Sequence, residues 1–184
     1  LRDPAQRDIL RERIAHGRDF DNIAQMVGWD NIRLTTLHRP EFQPLTGKTL
    51  AEAARLLGLE PVDCLCHVLA EEACNVTMID FITCDEDIAR ILRAPFASVI
   101  SDSLYPTEGL PHPRVYGTYT TLLEHFVREK QVLSLEAAVH KVTGRPAVVM
   151  GLRTKGVFAQ GMDADINIFD PAQIHTRATY QDPA

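Results

Sequence analysis

The chain has no apolar run that approaches the roughly 20 residues needed to span a bilayer, so no membrane-crossing helix is expected. It also lacks any concentration of basic residues. Nineteen Lys and Arg stand against 25 Asp and Glu, a formal net charge of −6, which excludes the basic footprint of a nucleic-acid or anionic-membrane binder. Neither nucleic acid nor a membrane is an expected partner. No internal repeat and no low-complexity segment interrupts the 184 residues. Cysteine is scarce, at positions 64, 66, 74 and 84. Cys64-Leu65-Cys66-His67 invites a metal reading, but residues two apart on a helix point in different directions. No second Cys/His pair stands at a zinc-finger spacing. These thiols are read as reduced and mostly buried, which suits a cytoplasmic protein. No signal-like pattern opens the chain, and the first residue is Leu1 rather than Met, so an upstream start is expected.

What is present is an ordinary globular composition, 45% apolar and 24% charged, long enough for one domain with a sizeable core. Residues 3–16 read as a helix, with Asp3 as cap, Pro4 in its first turn and Gly17 beyond its end. A short helix from Asp21 to Val27 would bury Ile23, Met26 and Val27. Ile32 to Leu37 is β-like, and His38 to Lys48 is a loop. Thr49-Leu50-Ala51-Glu52 has the capping-box pattern and opens a helix that stops at Gly58. Pro61 starts another, whose Val62, Leu65, Cys66, Leu69 and Ala73 would form one buried stripe. Val76 to Ile82 reads as a strand. Thr83-Cys84-Asp85-Glu86 repeats the capping-box pattern ahead of a helix to Arg93. Later helices run from Val115 to Lys130, with Tyr119, Leu122, Leu123, Phe126 and Val127 inward, from Leu135 to Thr143 behind Ser134, and onward from Pro146.

The stretch that organises the rest is Phe96-Ala97-Ser98-Val99-Ile100, followed by Ser101 and Asp102. A near-continuous apolar strand is what a parallel sheet buried on both faces requires. In barrels and open α/β sheets the residues just past the carboxyl end of such a strand line the active site. Asp102 holds that place, although turn and helix-cap roles also suit an aspartate. A polar, Pro- and Gly-containing loop is expected from Tyr105 to Arg114. Alternating helices and strands from 49 to 130 imply an α/β fold with parallel strands. Beyond Gly151 the texture changes, and Val157-Phe158 and Ile166-Asn167-Ile168-Phe169 read as short strands of a small β structure. A closed barrel needs eight strand–helix units, and open sheet edges invite aggregation. The chain is therefore expected to be a piece of something larger.

Several of these stretches carry a resemblance. Ser101-Asp102 at a strand end, followed by His112-Pro113-Arg114-Val115-Tyr116-Gly117-Thr118-Tyr119, resembles the end of the barrel in N-acyl-D-amino-acid deacylases (D-aminoacylases) of the metal-dependent amidohydrolase superfamily. Leu135-Glu136-Ala137-Ala138-Val139 through Thr143-Gly144-Arg145-Pro146-Ala147 resembles the last barrel helix and its Thr-x-x-Pro-Ala turn. Gly161 to Asp170 is similar to the G-x-x-A-D-hydrophobic strand that returns to the superfamily's small β-sandwich. Thr46 to Glu52 resembles a segment inserted late in the barrel, and residues 1–36 look like the insertion downstream of the family's substrate-binding region.

The resemblance implies the C-terminal part of a (β/α)8 barrel plus the closing strands of a small β-sandwich. Residues 1–48 would be an insertion or lid, 49–151 the last strand–helix units and 152–184 the sandwich strands. It implies a zinc hydrolase of N-acyl-D-amino acids. Asp102 would stand beside the metal, as neighbour or weak ligand, take a proton from metal-bound water and pass it to the leaving nitrogen. Ser101, His112 and Arg114 would contact substrate, Arg114 by bidentate pairing with a carboxylate. The family's His-x-His pair, bridging acid or Cys and further histidines have no counterpart among the seven histidines here, so this chain alone is expected to bind no zinc. His67, His125 and His140 are read as surface or core residues. Two alternatives stand: a cyclic-amide hydrolase of the dihydroorotase or hydantoinase type, and a non-catalytic truncated module that associates with itself or a partner.

Overall fold

A two-stranded antiparallel ribbon joins β1 (Ile32–Thr36) to β2 (Thr77–Asp80), with Ile32 opposite Asp80 and Leu34 opposite Met78. The computed structural model describes residues 1–104 and 109–184; the expected loop at 105–114 thus falls partly outside the described residues. Two compact units form, one from residues 1–82 with 109–111 and one from 83–104 with 112–184.

In the first unit, β1 buries Ile32 and Leu34 against α3 (Leu50–Leu57) and α4 (Pro61–Glu71). The expected capping box is present. Thr49 Oγ1 accepts the Glu52 N–H at 3.2 Å, and the Glu52 carboxylate accepts the Thr49 N–H at 2.9 Å. α1 (Pro4–His16) begins at its expected cap, Asp3, which accepts the Ala5 N–H. α2 (Ile23–Val27) is shorter than expected, and Met26 is exposed because only Ile23 and Val27 of the three reach the core.

The single stripe expected on α4 is corrected. Cys64 and Val68 face the core, whereas Val62 and Cys66 line hollows walled by α1. The helix is covered on both sides, and Ala73 lies exposed beyond its end. Burial pushes the Cys64 thiol up to about 11, so it is inert; all four cysteines are free, with Cys74 and Cys84 exposed. The edge of β1 away from β2 is taken by the following loop, where Leu34 N–H donates to the Lys48 carbonyl and Gly47 N–H to the Leu34 carbonyl. Gly109 packs so closely on β1 that a Cβ there would lie 2.3 Å from Thr36 Oγ1, and its φ of +84° favours glycine independently.

The second unit contains α5 (Asp85–Arg93), α6 (Arg114–Thr121), a π-helical continuation over Leu122–Glu129, α7 (Leu135–Val142) and α8 (Gly144–Met150). Leu92, Leu122, Phe126 and Ala138 make its core, while Tyr119, expected inward, is exposed. The expected capping box at Thr83–Glu86 does not form. The helix starts one residue later, so Cys84 occupies the cap and its thiol meets Asp87. Residues 96–100 and the segments at 157–158 and 166–169 form no strand, and the one sheet among the described residues is antiparallel rather than parallel. A strand needs a neighbour to pair its backbone, and among the described residues no strand stands beside these segments. Phe158 and Ile168 are 92% and 95% exposed. The chain is thus a mixed helix and strand protein, and no helix among the described residues is long and apolar enough to cross a membrane.

The loop after β1 is fixed by Glu72, which is 5% exposed. Its carboxylate accepts the N–H of His38 at 3.0 Å and of Arg39 at 2.9 Å. Glu72→Ala strands both donors and should cost about 2–3 kcal/mol. Urea unfolding followed by the fluorescence of Trp29, the single tryptophan, which packs on this core, checks it. A loss below about 0.5 kcal/mol, the range of an ordinary surface substitution, would show that the loop is held otherwise.

Candidate active site

Asp102 follows the 96–100 segment with φ +48°, a left-handed conformation that a non-glycine residue adopts at a cost and that calls for support from its surroundings. Its side chain is 76% exposed, and Oδ2 lies 3.2 Å from Nη2 of Arg114. An ion pair this open to water contributes roughly 0–1 kcal/mol, so it orients the carboxylate only weakly. Arg114 opens α6. Its backbone N–H, one of the donors that a helix start leaves without an intrahelical partner, donates to Nδ1 of His112 at 3.0 Å. That bond leaves the neutral His112 ring with its proton on Nε2. The ring packs edge-on against Tyr180, with centroids 5.4 Å apart.

His112 and Arg114 stand at a cleft of about 360 Å³ whose other walls include Val99, Leu92, Phe126 and Tyr180. This is the size and apolar character of a small-molecule pocket. Asp102 is not among its lining residues and connects to it through Arg114. Three of the four residues expected at the site, Asp102, His112 and Arg114, are thus brought together. Ser101 is adjacent in sequence and half-buried; its carbonyl meets Ser103 Oγ at 3.5 Å.

Sequence reasoning missed Lys141. This residue of α7 is 6% exposed, and its ammonium donates to the carbonyls of Ala94 at 2.6 Å and Ala97 at 3.1 Å. The Lys141 carbonyl accepts the Val99 N–H at 3.0 Å. Arg145 adds a bond to the Phe96 carbonyl at 3.1 Å. One signal was available: Lys141 falls three residues after the fully buried Ala138, on the same helix face, where a solvated lysine has no place.

No group of three or more His, Cys, Asp or Glu side chains that could hold a metal gathers among the described residues. His125 is engaged instead in an ion-paired clip. Its Nε2 lies 2.6 Å from Asp85 at the start of α5, and its Nδ1 lies 2.9 Å from Glu129. The hydrogen bond to Asp85, then that to Glu129, raises the imidazole above its ordinary value, and His125 in turn lowers the Asp85 carboxyl.

A family profile described as the amidohydrolase family matches residues 18–183. The N-acyl-D-aspartate deacylase of Alcaligenes xylosoxydans xylosoxydans is 38% identical over 138 residues, covering 75% of this chain and 26% of that protein. A crystal structure of N-acyl-D-glutamate deacylase from Bordetella bronchiseptica, complexed with zinc and a phosphonate mimic of the tetrahedral intermediate, is similar with a TM-score of 0.76 at 32% identity. It covers 87% of this chain and 32% of that chain. A dihydroorotase from Lactobacillus johnsonii is 42% identical, but over 52 residues only, 28% of this chain and 12% of that protein. The chain spans about a quarter to a third of the length of the two deacylases.

The His125 clip makes the second unit's stability depend on pH. A raised imidazole contributes fully below its ordinary value of about 6.5 and loses that contribution as pH rises through the raised value; a lowered carboxyl contributes above its ordinary value of about 4 and loses that as pH falls. The stability difference between wild type and His125→Gln, from urea unfolding followed by circular dichroism, should be largest between about pH 4 and 6.5 and shrink as pH rises beyond that window. A difference that grows from pH 6 to 9 would contradict the clip.

Proposed function

Because the chain belongs to the amidohydrolase family, we propose that it is the C-terminal part of an N-acyl-D-amino-acid deacylase that hydrolyses the acyl amide bond. The observation that carries this reading is the likeness, over most of the chain, to a deacylase holding a mimic of the reaction's tetrahedral intermediate. In this reading residues 49–151 are the last strand–helix units of a (β/α)8 barrel, 152–184 the closing strands of a small β-sandwich, and 1–48 an insertion or lid. The 96–100 segment, which pairs with no strand among the described residues, and the exposed Phe158 and Ile168 support it. Backbone and apolar surface left uncovered here are what the rest of a barrel and sandwich would cover. The free cysteines support a cytoplasmic setting.

Water adds to the acyl carbonyl carbon, the C–N bond breaks, and a carboxylic acid and a D-amino acid leave. Asp102 accepts the proton that the attacking water loses and delivers it to the departing nitrogen, ending the cycle unprotonated. Arg114, already aimed at a carboxylate, transfers its guanidinium from Asp102 to the carboxylate of the substrate, which also frees Asp102 to act. His112, which lines the cleft, serves as a hydrogen-bond donor to the substrate, and Ser101 borders the reacting group. Zinc belongs to this reading through the zinc-complexed relative. Its ligands would come from segments other than these residues.

The shortness of the dihydroorotase match weighs against cyclic-amide hydrolysis. On its own, with its apolar tail uncovered, the chain would associate with itself.

In the complete enzyme, Asp102→Asn should lower kcat for an N-acetyl-D-amino acid by about 10²–10⁴-fold while bound zinc, read by elemental analysis, stays unchanged. Arg114→Lys should chiefly raise KM, because a point charge replaces a planar fork. Turnover of Asp102→Asn within a few-fold of wild type would remove the assignment, as would a hydantoin hydrolysed faster than the N-acetyl-D-amino acid.

A further inference from the structure

Resting on the reading of Asp102 as the proton-carrying group, we infer that Lys141 is a positioning residue that sets the place of that carboxylate through the backbone leading to it. Three hydrogen bonds from this one residue, two from its ammonium and one to its carbonyl, fix positions 94, 97 and 99 of the segment that ends in Asp102. The last lies three residues before the carboxylate.

The acceptors of the ammonium are carbonyls rather than carboxylates, so neither bond is a salt bridge. Burying a charged group costs stability unless it is fully hydrogen-bonded, and an apolar residue would fill this face of α7 more cheaply. What the lysine supplies is the location of the 94–99 backbone, which no strand supplies among the described residues. Lys141 is itself anchored. Ala138, three residues earlier on the same face, is fully buried among Leu92, Leu122 and Phe126.

Asp102 needs that support. Its φ of +48° persists only where the surrounding chain enforces it. The ion pair of its side chain with Arg114 is open to solvent and orients it weakly. Arg145 reinforces the clamp with its bond to Phe96, but Lys141 alone ties three places. If the clamp is released, the carboxylate drifts relative to water and leaving nitrogen, and a misplacement of about 1 Å can cost about 10²-fold in rate.

The test uses the complete zinc-loaded enzyme, with Lys141→Met and Lys141→Arg each made in the wild-type and Asp102→Asn backgrounds. Its readouts are kcat and KM for the N-acetyl-D-amino acid that the wild type turns over fastest. Lys141→Met should lower kcat by about 30–100-fold with KM within about twofold. Lys141→Arg, which still donates to both carbonyls, should recover most of that loss. In the Asp102→Asn background Lys141→Met should change the residual rate by less than about twofold, because the group it sets is already disabled. Wild-type kcat in Lys141→Met, or the same fractional loss in both backgrounds, would overturn the inference, since a merely structural residue slows both enzymes alike. If Lys141→Met does not fold, Lys141→Gln, whose amide still donates to one carbonyl, takes its place in the same comparison. Full turnover in Asp102→Asn by itself would instead remove the proton-transfer assignment on which the inference rests.

Discussion

Backbone polar groups that leave water must be paired, and the segment from Ala94 to Val99 meets that demand without a strand beside it. Side chains take the place of a ladder. Lys141 donates to two carbonyls and accepts one N–H, and Arg145 donates to a third carbonyl. This substitution ties α7 to the segment that carries Asp102, and Ala138 on the same helix face ties α7 to the core. The position of the carboxylate, and through it the ion pair to Arg114, follows from that chain of contacts.

The first unit solves the mirror problem in the same way. There the backbone groups that a side chain pairs are N–H donors, those of His38 and Arg39, and the buried side chain is an acid, Glu72. Each unit thus fixes an irregular segment with one buried polar side chain whose donors or acceptors match the backbone groups it meets. Such groups cost stability when removed and offer little when merely exposed. That asymmetry suits segments that must be held in one place. In the second unit the held segment presents the carboxylate proposed to move the proton.

Local chemistry was legible in the sequence wherever one residue decides the outcome. Asp3, Thr49 with Glu52, and Ser134 all cap the helices expected of them. Where tertiary surroundings decide, sequence reasoning went astray. The α4 stripe missed the second covered face because α1 lies against it. The capping box at Thr83 failed because the helix starts at Asp85 instead of Cys84. The apolar runs at 96–100, 157–158 and 166–169 have strand composition, yet composition supplies no neighbour to pair with. The proximity of Asp102, His112 and Arg114 to one another was legible from their order along the chain, a property that sequence displays directly. Lys141 was not, since its role depends on which carbonyls the fold brings to its ammonium.

The central claim, that these residues close a larger zinc amidohydrolase, is tested most directly by the intact mass of the native protein measured together with its zinc content on one sample. The account predicts a mass several times the 20.6 kDa of this chain, with zinc bound. A native mass of 20.6 kDa without zinc would contradict it.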